Sequence, residues 1–338
     1  MSLQLLIAES DRFSPRALAT LQRHFTVTCA DLDRAALLSS IAPYDALWVR
    51  LRNQIDQAVF RAAPRLRWVM TNTTGLNHID LAAAANAGVR VVSLRGEVDF
   101  LRQIRATAEL TLGLILALVR HLPRAVAHPL AGGWNRDLFE GRELAGLTAG
   151  IVGYGRLGSQ VAKYLHAMDL RVLTCGPSLR QADVAPEISV VSERELLAQA
   201  EIVSLHADYT SENDGFFGAR HFAAMRPGAY FINTARGELI DEAALLDSLQ
   251  TGHLAGAAVD VLRDERSTGM AAHPLIQYAQ THDNLLITPH IGGNTRESLH
   301  KTEDFLAEKL CHMLLAEASP PSGEPAQFLA PASAPSAI

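Results

Sequence analysis

The sequence predicts an α/β protein with two parallel, doubly wound sheets. Three observations carry this. Short apolar runs alternate with helical patterns, they do so in two separate series, and the runs are continuously apolar, as strands covered on both faces are. The first series places strands at residues 3–8, 26–29, 46–49, 68–71 and 89–93, with helices at 15–24, 31–41, 56–62 and 80–86 between them. One long helix is expected over 104–131. The second series places strands at 149–152, 171–174, 188–191, 202–205, 229–232, 255–259 and 285–287, and a last helix at 295–316. The final stretch, rich in Pro, Ser and Ala, reads as a disordered tail over 318–338.

Composition narrows the function. The chain of 338 residues has 30 basic and 36 acidic side chains, a net charge of −6, which argues against a nucleic-acid partner. The three cysteines have no paired spacing, so neither a metal site nor a disulfide framework is expected. The N-terminal run lacks a basic region followed by a long apolar segment, and the apolar stretch 110–119 is too short to span a bilayer. A cytoplasmic protein without a membrane partner is expected.

The strongest local signal is AGIVGYGRLGSQV, in which Gly153, Gly155 and Gly158 stand between an apolar strand and a helix. In that context Gly153 permits a tight turn, Gly155 lets the backbone approach a pyrophosphate, and Gly158 lets helix and strand pack closely. Phosphates would then meet the free N–H groups of the helix start. A glycine-rich turn of this kind also serves methyltransferases. The next strand ends at Gly176 where a ribose-binding acid is usual; Ser178 and Arg180 follow. Arg180 is either a phosphate ligand or a solvated loop residue.

Three further segments each put a chemically useful group at a strand end: Arg236 in NTARGELIDEAAL, Asp260 and Glu265 in AAVDVLRDE, and His290 in TPHIGG. Singly, each has a plain structural use. Together they suit hydride transfer to a 2-oxo acid. Imidazolium can donate a proton, a carboxylate can orient it and raise its pKa, and a guanidinium can hold a carboxylate by two bonds.

These motifs, in this order, resemble the D-isomer-specific 2-hydroxyacid dehydrogenase family over most of the chain. The resemblance implies a Rossmann cofactor domain at 104–290 inserted into a flavodoxin-like substrate domain at 1–103 and 291–317. It implies Arg236 as the substrate-orienting residue, Glu265 as partner of the base, and His290 as the acid/base. Cofactor contacts are implied for Gly153, Gly155, Arg156, Leu157, Gly158, Gly176, Arg180, His206, Thr210, Thr234, Ala235, Asp260 and Gly292, with Asp260 at the nicotinamide carboxamide. The segment NTTGLNHID resembles the substrate-carboxylate loop and implicates Thr74, Gly75 and Leu76; its plain alternative is an ordinary turn. The cofactor is NAD or NADP, since Gly176 removes the acid that repels a 2′-phosphate. The partner is a small 2-oxo or 2-hydroxy acid. A homodimer is implied, with the apolar helix around 109–118 at or near the interface. The segment 95–105, carrying Arg95, Arg102 and Arg105, is longer than the family's and reads as an extended helix start. A dinucleotide-sensing interaction protein on the same fold is the alternative.

Overall fold

The structure is a computed structural model that describes residues 2–265 and 269–318. The chain divides into two units. One comprises the residues up to Ile104 together with the helical segment from Asn294, and the other is Arg105–Gly293. The expected tail falls outside the described residues, apart from Ala318, which ends the last helix.

The first unit is a five-stranded sheet of β1 (Leu3–Ile7), β2 (Phe25–Cys29), β3 (Ala46–Val49), β4 (Trp68–Thr71) and β5 (Arg90–Val92). The order is β2-β1-β3-β4-β5 and every pairing is parallel. This is the flavodoxin-like order. β3 and β4 are buried at every position, which explains their unbroken apolar runs. The intervening helices start one residue after a capping side chain. Ala36 N–H donates to Asp33 at 2.8 Å, Ala58 N–H to Asp56 at 2.9 Å and Ala83 N–H to Asp80 at 2.9 Å. The aspartates at 56 and 80, expected inside their helices, are therefore their N-caps. At the crevice where the order reverses, Glu9 follows β1 and fills the space. It accepts the N–H groups of Arg52 and Asn53, both at 3.1 Å.

The last helix, Arg296–Ala318, completes this unit by packing on the helix Pro15–Leu21 and burying Leu306, Ala307 and Leu310 in the apolar cluster of Trp48 and Trp68. Its Glu303 is fully buried. It accepts the Ser14 N–H at 2.8 Å and Arg50 Nη2 at 2.6 Å.

The second unit is a seven-stranded parallel sheet of β6 (Thr148–Val152), β7 (Arg171–Cys175), β8 (Ser189–Val190), β9 (Ile202–Leu205), β10 (Ala229–Asn233), β11 (Leu254–Val259) and β12 (Leu285–Ile287). Its order is β12-β11-β10-β9-β6-β7-β8. Two apolar clusters cover its faces. One is built on Phe217, Phe222 and Phe231, the other on Ile115, Ile151 and Leu165. The long helix expected over 104–131 is two helices, Ala106–Val119 and Leu122–Leu130. Pro123 has no N–H to offer Val119, whose carbonyl accepts the Arg142 N–H at 3.0 Å instead, and His121 turns the chain with φ 53°. The segment 95–105 is likewise not one helix start. It holds a separate short helix, Val98–Leu101, and Arg95, Arg102 and Arg105 are all exposed.

The helix Ala106–Val119 buries one face inside its own unit through Ala108, Thr111, Leu114, Ile115, Leu118 and Val119. The exposed apolar surface lies beyond it: Leu130 is 85% exposed and Trp134 is 93%, and Leu122, Val126 and Leu138 lie in the same segment. Among the described residues no single helix is long and apolar enough to cross a membrane.

Removing the buried Glu303 leaves the Arg50 guanidinium without its carboxylate partner and the Ser14 N–H without its acceptor. Breaking one side of a buried pair costs about 3–5 kcal/mol. Glu303→Ala is expected to lower the urea midpoint of unfolding by a corresponding amount; an unchanged midpoint would show that the pair does not hold the last helix.

Candidate active site

Parallel pairing puts one row of residues level across the second sheet: Ile287, Val259, Asn233, Leu205, Val152 and Cys175. The residue after each, or a few residues on, is a predicted site residue. The order reverses between β6 and β9, which places the crevice of the sheet between Gly153 and His206.

The three glycines at this crevice differ in what they permit. At Gly153 φ is 92°, and a Cβ would fall 2.8 Å from the Ala207 nitrogen. At Gly158 a Cβ would fall 2.0 Å from the Gly153 carbonyl oxygen, so no side chain fits between helix and turn. At Gly155 a Cβ would meet nothing within 4 Å. Sterics therefore require two of the glycines, and the third opens space at the start of the helix Arg156–His166, which no side chain caps. Open space before a free helix start fits a pyrophosphate. Arg156 is partly buried there, burial lowering its pKa while Asp208 opposes the shift. Leu157 packs against the apolar cluster behind the turn.

On the other side of the crevice Asp260 organises the loop after β12. It is 1% exposed. Its carboxylate accepts Thr288 Oγ1 at 2.5 Å and the N–H groups of Ile291 at 2.9 Å and Gly292 at 2.8 Å. Its carbonyl accepts the His290 N–H at 2.8 Å. Burial pushes its carboxyl upward, and these hydrogen bonds oppose the shift. The loop so held presents His290 in the left-handed region, φ 53°. His290 Nδ1 lies 2.5 Å from Glu265 Oε1, both side chains about a quarter exposed. A carboxylate at Nδ1 leaves Nε2 as the nitrogen able to exchange a proton.

Arg236 follows β10 on a turn tied by Asn233. The Asn233 amide donates to the Arg236 carbonyl at 2.9 Å and accepts the Ala235 N–H at 3.0 Å. Arg236 itself is half-buried, with Nη1 on the Ala235 carbonyl at 2.6 Å. Gly237 packs on the backbone ahead of Glu265: a Cβ there would fall 2.1 Å from the Leu262 carbonyl carbon. Asn233, Gly237 and Thr288 were not singled out from the sequence. The signal for them is their position beside a strand end within the same motifs.

Other predicted residues are placed less directly. Thr234 is buried with its hydroxyl 2.8 Å from that of Thr111, so its side chain faces the helix Ala106–Val119; Ala235 is buried beside it. Thr210 donates its N–H to Asn213 at 2.8 Å on an exposed turn. Gly176 is exposed at the end of β7 with no carboxylate at that position. Arg180 is not a free cation. Nε and Nη2 each donate to Asp183 at 3.2 Å, on the surface. Thr74, Gly75 and Leu76 belong to the first unit, on a half-buried loop after β4, where Thr73 Oγ1 donates to the Gly75 carbonyl at 2.8 Å. Among the described residues no group of three or more His, Cys, Asp or Glu side chains could hold a metal ion.

His206, at the crevice, is 7% exposed and its Nε2 lies 2.8 Å from Ser204 Oγ. Burial depresses its pKa to about 4. The native imidazole stays neutral while the unfolded one takes a proton below about pH 6.5. Stability therefore falls as pH drops from about 6.5 toward 4, by about 2 kcal/mol at pH 5 from this group alone. His206→Gln is expected to flatten the denaturant-midpoint profile over that window; a profile as steep as the wild type's would exclude His206 as its source.

Residues 112–292 match the family model of the D-isomer specific 2-hydroxyacid dehydrogenase, NAD binding domain. The chain is 35% identical over 95% of its length to D-3-phosphoglycerate dehydrogenase of Mycobacterium bovis, of which it spans 58%. It is 34% identical over 85% of its length to glyoxylate reductase of Thermofilum pendens, covering 83% of that protein. A solved structure of D-lactate dehydrogenase from Aquifex aeolicus, complexed with NAD and lactic acid, superposes with a TM-score of 0.77 at 26% identity, over 93% of this chain and 96% of that one. With the parallel sheet, the glycine turn and the strand-end residues already in place, these matches settle the family: the chain belongs to the D-isomer specific 2-hydroxyacid dehydrogenases.

Proposed function

We propose that the protein is an NAD(P)-dependent oxidoreductase that interconverts a small D-2-hydroxy acid and its 2-oxo acid. The observation that carries this reading is the His290–Glu265 pair, held at the same sheet edge as Arg236 and the glycine turn. The turn Gly153–Gly158, with Gly155 leaving its space open, holds the cofactor's pyrophosphate. A bound nicotinamide supplies the hydride in reduction and takes it up in oxidation.

The residues of the chain handle the proton and the orientation. His290, protonated, gives its Nε2 proton to the oxygen at C2 during reduction and takes it back in the reverse direction. Glu265 at Nδ1 fixes the ring and leaves Nε2 as the nitrogen that exchanges the proton. Arg236 offers its planar fork to the substrate carboxylate, an arrangement a lysine would not reproduce. Asp260 keeps the His290 loop in place through Thr288, Ile291 and Gly292. Both NAD and NADP are accepted, because no carboxylate stands at Gly176 to repel a 2′-phosphate. Arg180 joins such a phosphate only by leaving Asp183, and an exposed pair of this kind is easily exchanged.

A steady-state assay with NADH or NADPH and a panel including glyoxylate, hydroxypyruvate and pyruvate tests this. His290→Ala is expected to lower kcat by about 10²–10⁴-fold while NADH still binds. Glu265→Gln is expected to lower kcat and to change the pH profile of kcat/KM, since the ring loses the carboxylate that orients it. Wild-type turnover in the His290 variant would remove the acid/base assignment. Arg180→Ala is expected to weaken use of NADPH selectively; unchanged kcat/KM for it would take Arg180 out of the cofactor site.

We also propose a homodimer. The apolar segment with Leu130 and Trp134 supports it, being too exposed for a surface in permanent contact with water. Light scattering at micromolar concentration is expected to give twice the 36.6 kDa chain mass, and Trp134→Glu to halve it. A monomeric wild type would exclude the dimer.

A further inference from the structure

A second histidine–carboxylate pair stands behind the first. Glu242 opens the helix Glu242–Gln250, and its side chain is 15% exposed. Its Oε1 accepts the Arg263 N–H at 2.7 Å, and its Oε2 lies 3.1 Å from His273 Nε2. Arg263 and His273 lie on either side of Glu265 in the chain. One carboxylate thus meets both the backbone two residues before Glu265 and the His273 ring.

The direction of each bond is determined. His273 Nδ1 accepts the Leu275 N–H at 3.3 Å, capping the helix Pro274–Ala279. The ring proton is then on Nε2, and it is donated to Glu242. The near end is held from other elements as well. The Arg263 guanidinium lies 3.2 Å from Asp214 and donates to the Glu238 carbonyl at 2.9 Å, and the Leu262–Arg263 peptide lies against Gly237. The Glu242 carboxylate is itself held by the His273 bond. Asp264, immediately before Glu265, has φ 54°, so the backbone turns sharply between the tie and the carboxylate it presents.

We propose that Glu242 and His273 are positioning residues for the reaction, acting through Glu265. His273 holds the Glu242 carboxylate, Glu242 holds the Arg263 N–H, and that tie two residues before Glu265 keeps its carboxylate on His290 Nδ1. This rests on the acid/base reading of Glu265 and His290 given above. When the tie is cut, Glu265 samples positions away from the imidazole, and the ring loses the partner that orients it. A misplacement of about 1 Å at a reacting group can cost about 10²-fold in rate.

The informative substitution is His273→Asn. Asparagine is a good N-cap, so it keeps the bond to Leu275 while its shorter side chain gives up Glu242. The expected result is a kcat about 10- to 100-fold lower. The pH profile of kcat/KM changes in the same sense as in Glu265→Gln, with the KM for NADH unchanged. Glu242→Gln is expected to behave alike, since its NH2 replaces one of the two oxygens that accept from Arg263 and His273, and it carries the test should the first variant fail to fold. In a Glu265→Gln background His273→Asn is expected to add nothing. An unshifted pH profile in His273→Asn, or full additivity with Glu265→Gln, overturns the proposal. Failure of the underlying reading looks different: Glu265→Gln itself then leaves the profile unchanged.

Discussion

Everything in the second unit hangs on the pairing of parallel strands. A parallel ladder forces each strand to begin at the same edge, so each crossover returns the chain and all C-terminal ends emerge together. Here the ends are level to the residue, from Ile287 through Val259, Asn233, Leu205 and Val152 to Cys175. Groups far apart in sequence, such as Gly153 and His290, thereby share an edge with no contact of their own to bring them there. The reversal of order between β6 and β9 then opens the crevice beside the glycine turn. The first unit has the same kind of crevice, but Glu9 fills it with hydrogen bonds to Arg52 and Asn53. The same architecture therefore leaves open space beside Gly155 in one unit and sets a buried carboxylate at the reversal in the other.

Buried carboxylates do the local shaping. A carboxylate taken out of water is costly unless its oxygens are satisfied. In the buried Asp260, Glu303 and Glu9, and in the half-buried Glu242, that need is met by backbone N–H groups and a few side chains. Each becomes a fixed point on which a loop or helix is hung: the His290 loop on Asp260, the Glu265 segment on Glu242, and the last helix on Ser14 and Arg50 through Glu303. The resemblance gave Asp260 a contact with the nicotinamide. Its three hydrogen bonds give it a second task, since the orientation of His290 depends on it.

Two features changed their meaning once neighbours were in place. In the sequence Arg180 reads as a cation beside an empty acid position, but Asp183 three residues on folds back onto it through a tight local turn. The apolar helix read as an interface element spends much of its apolar face inside its own unit, and the exposed hydrophobics lie past the break that Pro123 makes. Both depend on where a short loop turns, and helical or strand periodicity carries no information about that.

The strands, their parallel character and the glycine turn were legible in the sequence because they rest on local rules. Continuous apolar runs mark strands covered on both faces, and Gly158 is required wherever a helix must lie within contact of the preceding turn. Arg236, Glu265 and His290 were legible as chemistry at strand ends, through their residue types and motifs. What only the tertiary structure decided is which polar atoms meet. The resemblance implied Glu265 as the partner of His290, but that Nδ1 is the nitrogen involved, that Asp260 holds three donors, and that Glu242 joins Arg263 to His273 are contacts between segments separated by about twenty residues or more. Such contacts follow from sheet order and from the course of individual loops, and they satisfy groups that burial would otherwise penalise. A linear pattern records which groups are present; only the packed chain determines which of them must pair.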